Sequence, residues 1–377
     1  MNYVQSEVGE LGTLEKLEKD RKNLVSLPEY GHVHLRIDSL PNEIKVTFEL
    51  YEVITAYPIV DLGGVKENVY WQVGLGNSSS LGVGLAYNLS YINTDNRSNY
   101  SASAKLPFIK GKPFGIELEI SKQASLEPVS LQNQSVNYLY DKDNFRLSGL
   151  YYFTPRNTLK LTGAFFTEEY SVDGENVNGF PSDFLHRKYL FSQEFFRNNE
   201  TYFYHLVSGY SVFLNFTQVI NLDAEGDFNL VLAQYKYYHR IKKRSNVAFR
   251  AKTGIATNTD SPFAPFVLDS NVNIRGSGNR QERGTASFII NAEYRYSVID
   301  RKNVAVQSVG FVDTGVWRYP GEKISINGAQ ESLQFFTGVG ARFIYKPFSQ
   351  AVFRIDYGID TRHLKQKGFV FGIGQYF

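Results

Sequence analysis

Three side chains in the last third of the sequence have the types to build a charged node: Arg275, Glu293 and Asp313. Over residues 284–297, Ala286, Phe288, Ile290, Ala292, Tyr294 and Tyr296 recur at every second position, so Glu293 points to the other face of a strand. Over 303–317, Val304, Val306, Val312, Thr314 and Val316 share a face, and Asp313 points away from it. Two carboxylates withdrawn from water need a cation. Arg275 offers a planar fork able to hold both, and Gly276 and Gly278 let the backbone turn tightly beside it. From residue types alone, Arg275 and Asp313 read equally as solvated charges. Other chemistry is sparse. The chain has 0 Cys, which excludes thiol catalysis, thiolate metal sites and a disulfide framework. Of the 6 His, His32 and His34 share a strand face, yet no carboxylate or third His stands at ligand spacing. His186, His205, His239 and His363 join no nucleophile elbow or triad, and there is no Gly-rich phosphate loop. The expectation is no metal, no cofactor and no enzyme.

The elements that would position these residues are strands. From about Val69 the sequence alternates in segments near 68–76, 81–93, 97–108, 113–122, 131–141, 143–153, 157–171, 185–197, 201–217, 226–239, 244–258, 284–298, 303–319, 331–346, 351–360 and 368–377. Sixteen is an even count, as a single-chain bacterial barrel requires. Turn signals separate the segments, Asp95-Asn96, Asp141-Lys142-Asp143 and Thr154-Pro155-Arg156-Asn157 among them. The linkers 172–184 and 259–283 are long. Short turns at one end and long loops at the other is the barrel layout. Phe353, Ile355, Tyr357 and Ile359 alternate with Arg354, Asp356, Gly358 and Asp360, one face fit for lipid and one for a wet lumen. Phe369, Phe371, Ile373 and Phe377 read as one apolar face of the last strand and resemble an outer-membrane assembly signal, with Gln375 a departure from it. The fold class expected is all-β, a 16-stranded antiparallel transmembrane barrel.

Residues 11–27 read as a helix, with leucines at 11, 14, 17, 24 and 27 on one face and Glu15, Lys16, Glu18, Lys19, Asp20 and Arg21 on the other; Pro28 ends it. Two alternating strands follow, around a turn at Leu40-Pro41-Asn42-Glu43. A helix and a hairpin bury too little to fold alone. The division expected is residues 1–56 as a small unit and 57–377 as the barrel. Aromatic content is 15%, which suits two interfacial girdles. Net charge is +2, so no nucleic-acid partner is implied. Mean hydropathy is −0.30, and no stretch approaches the ~20 apolar residues of a membrane helix; a barrel strand shows lipid only every second residue and escapes that test. Residues 1–10 show no signal peptide, and Met1, the only Met, reads as a start in place of a removed one.

Residues 262–377 resemble the C-terminal half of the BamA/TamA/FhaC superfamily barrel, the bacterial surface antigen family. The match is carried in order by Ile274-Arg275-Gly276, by Asn291-Ala292-Glu293-Tyr294-Arg295-Tyr296, by Phe311-Val312-Asp313-Thr314-Gly315, and then by Gly338-Val339-Gly340-Ala341-Arg342-Phe343 and Arg354-Ile355-Asp356-Tyr357-Gly358. Ser277 stands where the family has an aromatic, and Asp269-Ser270 where it has two glycines. The resemblance implies that the loop around 262–283 folds back into the lumen and is anchored there by Arg275, Gly276, Glu293, Phe311, Asp313 and Gly315. Leu14 to Glu52 resembles the second half of a POTRA domain.

The same resemblance implies a location in the outer membrane of a Gram-negative bacterium and a weak seam between first and last strands. Gly74 and Gly76 near the start and Gly372 and Gly374 at the end would weaken that seam, and a client strand would add to the freed edge. The partners expected are outer-membrane lipid and client outer-membrane or secreted proteins. Two other readings stand beside this one: a structural barrel that pairs with itself or another outer-membrane protein, and a loop-plugged channel or lipid-handling barrel.

Overall fold

The computed structural model describes the chain except for residues 1–3, 11, 26–29, 42, 53–54, 66–67, 81–83, 110–111, 132–133, 175–178, 204, 224–225, 280–281 and 348–350. Pro28, within the expected helix end, and Asn42, within the expected turn, lie outside the described residues. The chain opens with a helix α1 (Leu14–Val25) and a two-stranded hairpin, β1 (Tyr30–Ser39) and β2 (Ile44–Glu52), in continuous antiparallel register from His32↔Tyr51 to Ser39↔Ile44. Leu17 and Leu24 of the helix and Val33 of β1 are buried. Asp20, placed above on the charged face, is fully buried instead: it accepts from Gln5 N at 2.8 Å, from Ser6 N at 2.9 Å and from the Ser6 hydroxyl at 2.6 Å. It is the acceptor that folds residues 5–6 back onto the helix.

A closed antiparallel barrel follows. Its first wall strands are β3 (Ala56–Val65), β4 (Asn68–Ser80), β5 (Leu85–Thr94), β6 (Arg97–Leu106), β7 (Phe114–Leu131), β8 (Gln134–Thr154), β9 (Asn157–Val172) and β10 (Phe184–Asn198). A short β11 (Thr201–Phe203) makes a hairpin with the start of β12 (Leu206–Asn221), which itself pairs directly with β10. Then come β13 (Phe228–Ile241), β14 (Ser245–Ala256) and a small separate hairpin of β15 (Phe266–Leu268) and β16 (Glu282–Gly284). The wall resumes with β17 (Ala286–Asp300), β18 (Val304–Arg318), a one-and-a-half-turn helix α2 (Ile326–Glu331), β19 (Gln334–Tyr345), β20 (Val352–Asp360) and β21 (Lys367–Ile373), and β21 closes on β3. Setting aside β11, β15 and β16, sixteen strands form the wall.

The count agrees with the sequence, but two of the expected strands do not. The first wall strand is Ala56–Val65, not 68–76. Its Pro58, Gly63 and Gly64 read as turn residues, and only the partner strands on both sides make it a strand. The stretch expected as 131–141 and 143–153 is one strand, β8. Asp141-Lys142-Asp143 reads as a turn, yet Lys142 pairs with Gln123 on one side and Glu168 on the other without interruption. Its ammonium lies over the Phe166 ring at 4.1 Å, inside the barrel.

The outer face is an apolar band. Leu89, Ile120, Phe145, Leu147, Leu161 and Phe165 are among its exposed hydrophobics. Trp71, Tyr91 and Tyr100 pack tilted and edge-to-face at one level, with ring centroids 5.2 and 5.3 Å apart; Phe114, Tyr151 and Phe153 do so at the other, 5.0 and 4.8 Å apart. An apolar belt of this extent between two aromatic rims has bilayer as its only stable surrounding. The inner face alternates to polar residues such as Ser148, which shares a hydrogen bond of 2.9 Å with Thr162, and Lys160, which donates to Glu117 at 3.1 Å. Because the strand number is even, β3 begins and β21 ends at the same end of the barrel. The longest connections, 173–183, 257–285 and 319–333, all lie at the other end. An outward charge at mid-wall should therefore be costly and an inward one should not: Leu147→Arg is expected to lower stability in urea titrations of the lipid-reconstituted barrel by about 2–4 kcal/mol, while Ser148→Arg stays within about 1 kcal/mol.

Candidate functional site: the lumenal loop and the seam

The connection 257–285 does not stay outside. From Leu268 to Ser277 it turns through the lumen, and Ile274, Arg275 and Ser270 are fully buried. Ser270 and Ser277 staple the loop. The Ser270 hydroxyl accepts from Gly278 N at 2.8 Å while Ser270 N donates to Gly278 O at 2.7 Å. The Ser277 hydroxyl donates to Ile274 O at 2.8 Å. Asn273 adds a donation to Val267 O at 2.6 Å. Gly276 and Gly278 hold φ +93° and +104°, where a side chain would be strained. Gly276 also lies against Gly358 of β20 so closely that a Cβ on it would stand 2.6 Å from Gly358 O.

The Arg275 guanidinium is 0% exposed. It meets Asp313 side-on: Nε donates to Oδ2 at 2.8 Å and Nη2 to Oδ1 at 2.8 Å, and the Arg275 backbone N–H adds a third bond to Oδ2 at 3.0 Å. Nη1 donates to Glu293 Oε1. The flat faces are covered as well, by Phe311 at 3.6 Å and Tyr376 at 4.2 Å. The structure thus brings Arg275, Gly276, Glu293, Phe311 and Asp313 into one contact group. Gly315 stands beside it: a Cβ there would lie 2.9 Å from the Trp317 ring, so the glycine makes room for the indole. Trp317 packs with Leu268, Ile274, Ile289 and Phe336 in an apolar patch beneath the loop.

Around this centre lie residues that the sequence reading left unassigned. Asn291 donates to both Asp313 Oδ1 and Asn273 O at 2.7 Å, and Arg250 donates to Asn291 Oδ1 at 2.9 Å and to Val272 O at 2.8 Å. Arg295 Nε donates to Glu293 Oε2 at 2.6 Å, and Arg342 Nη1 to Asp356 Oδ1 at 2.7 Å. Asn291 lies opposite Asp313, and Asn291 and Arg295 flank Glu293 at two residues' distance on the same strand face. The signal was present in the alternation, and Arg342 and Asp356 stood inside quoted motifs. At the loop base, Arg283 pairs with Glu127 across the lumen. Among the described residues no three His, Cys, Asp or Glu side chains converge to hold a metal ion.

Among the described residues, strands β21 and β3 pair through Val370↔Val65, Phe371↔Gly64 and Gly372↔Gly63, whereas β20 and β21 pair from Phe353↔Ile373 to Ile359↔Lys367. Of the glycines assigned to the seam, Gly372 lies in it. Gly74 and Gly76 do not: they lie on β4, one strand in, because Ala56–Val65 takes the first place in the wall. There they leave room for neighbours; a Cβ on Gly76 would meet the Tyr57 ring at 2.5 Å. The glycines on the β3 side of the seam are Gly63 and Gly64. Gly374 follows the last paired residue with φ +90°. Of the aromatic set at the end of the chain, Phe369 is 57% exposed on the outer face, and Phe371 and Ile373 are half-buried. Phe377 is not on that face. The turn at Gly374 carries it into the lumen, where it is 8% exposed.

This geometry was compared with known proteins. BamA from Haemophilus ducreyi lacking POTRA domains 1–3 superposes with a TM-score of 0.71 at 13% identity, over 99% of this chain and 80% of that one. The barrel has the BamA/TamA/FhaC fold. CdiB from Escherichia coli gives 0.67 at 12% identity, over 99% of this chain and 73% of that one, and CdiB from Acinetobacter baumannii gives 0.66 at 12%, over 99% and 70%. No family model matches the sequence, and no curated protein does. The likeness is therefore one of fold rather than of overall sequence.

Removing Arg275 takes from buried Asp313 its side-on guanidinium and leaves Glu293 to Arg295, a loss of about 3–5 kcal/mol. Arg275→Ala should free the loop to protease: new cleavage is expected between residues 262 and 283 in the folded, membrane-embedded protein. Arg275→Lys should restore little of the protection, because an ammonium cannot hold Asp313 side-on and reach Glu293 together.

Proposed function

We propose that this protein is a non-enzymatic barrel of the Gram-negative outer membrane that inserts or translocates other polypeptides by opening sideways between β3 and β21. One observation carries the reading. Among the described residues the wall closes through three residue pairs, two of them with glycine on one or both sides, which makes for weak closure at that junction. Beyond Gly63, the edge of β3 from Ala56 to Leu62 has no strand partner on that side among the described residues. An unpaired edge facing a membrane is a template for strand addition. The partners are then the membrane lipid and a client whose strand pairs with that edge. In this reading α1, β1 and β2 are the second half of a POTRA-like unit on the periplasmic side, where β3 begins, and the Arg275 node holds the loop as an internal support for the strands on the β21 side of the seam.

A cavity of about 1300 Å³ remains in the lumen beside the loop, lined by Lys142, Glu168, Lys188 and Lys252 among others. It supports a second reading, a channel with the loop as plug.

The 0 native Cys make the seam test clean. Val65→Cys with Val370→Cys places two thiols opposite each other across the junction. Under oxidation the pair should cross-link, and insertion of a client barrel into liposomes should stop and return on reduction. Insertion that continues at full rate through the locked seam would refute lateral opening. A pore current that survives the lock and grows in Arg275→Ala would favour the channel.

A further inference from the structure

Past Ile373 the chain leaves the wall. Gly374 donates its N–H to Val352 O at 2.7 Å and turns, at φ +90°, into the lumen. Gln375 accepts from Arg342 Nε at 3.3 Å and donates to Gln307 at 3.4 Å. Tyr376, 7% exposed, reaches the lumenal loop: its hydroxyl donates to Ser270 O at 2.9 Å. The Tyr376 ring carries the guanidiniums of Arg275, Arg354 and Arg250 at 4.2, 5.0 and 5.3 Å. Phe377 crosses to the far wall and packs against Val207, Tyr238 and Ala248, which belong to β12, β13 and β14. Four residues therefore run from the seam strand, past the loop tip, to the opposite side of the barrel.

The arginines explain why an aromatic pair stands here. Arg354 lies on β20 beside the seam, 8% exposed, and its Nε and Nη1 are buried with no acceptor among the described residues. The Tyr376 face is what meets its charge. Arg250 and Arg295 lie over the Phe377 ring at 5.0 and 5.6 Å. If Tyr376 and Phe377 left, four guanidiniums in the lumen would lose an aromatic face and the loop would lose a hydrogen bond.

We propose that residues 374–377 are a strap that couples the loop to the seam. Strand β21 cannot swing away from β3 without drawing Tyr376 off Ser270 and Arg275, and the loop cannot leave its place without uncovering the strap. Seam opening and loop release are one event. The consequence for opening rests on the lateral-opening reading; the coupling itself does not.

Amide hydrogen exchange on the full chain in lipid nanodiscs tests it. In Tyr376→Ala with Phe377→Ala, exchange should accelerate together over 268–278 and 367–373, each by about tenfold or more, while β8 and β9 keep wild-type rates. Tyr376→Phe removes only the hydroxyl bond to Ser270 and should give a smaller acceleration, about two- to fivefold, again in both segments. That variant decides the matter if the double one fails to assemble. Acceleration in the loop with an unchanged seam, or the reverse, overturns the strap. The readout needs no client. A locked seam that still inserts would sink the proposed function and leave the coupling standing, and uncoupled exchange would do the opposite.

Discussion

One fully buried guanidinium sets the terms for the rest of this barrel. Arg275 has 0% exposure, and an unpaired charge there would cost several kcal/mol. Its compensation needs two carboxylates from adjacent strands, Glu293 on β17 and Asp313 on β18, held at one level of the lumen. That fixes the register of the two strands and their inward faces, and it fixes the loop, because the Arg275 backbone N–H donates to the same Asp313 carboxylate as the side chain. Gly276 and Gly358 must then be glycines, since the two backbones touch where side chains would stand.

Further guanidiniums gather around the node: Arg250, Arg295, Arg342 and Arg354 stand with Arg275 among Glu293, Asp313 and Asp356, and Arg295 also donates to Phe377 O at 3.2 Å. Phe311, Tyr376 and Phe377 add ring faces to these cations. The inward turn at Gly374 brings Tyr376 and Phe377 onto these guanidiniums, so the end of the seam strand and the lumenal node share residues 374–377.

Much of this was legible in the sequence. Alternation alone placed Glu293 and Asp313 on inward faces, and the ordered motifs from Ile274 to Gly358 pointed to the loop. What could not be read were features decided by partners distant in the chain. Ala56–Val65 carries Pro58, Gly63 and Gly64 and looks like a turn until β4 and β21 flank it. Lys142 looks like a turn residue until the Phe166 ring is seen beneath it. Phe377 continues the apolar period of β21 perfectly well, and only the left-handed turn at Gly374 takes it off the lipid face. Ser270 and Ser277 looked like losses from a motif and are instead the hydrogen bonds that close the loop.

The central claim, that the Arg275–Asp313 contact pins the loop and does not merely sit in a polar lumen, is best tested by a double-mutant cycle. Arg275→Ala, Asp313→Ala and the double variant would be unfolded in urea from lipid vesicles alongside the parent. The account predicts strong non-additivity, a coupling of about 2–3 kcal/mol, with the double variant little worse than either single one. Additive losses, with a coupling near zero, would mean that the two charges are separately solvated and that the loop is held by something else.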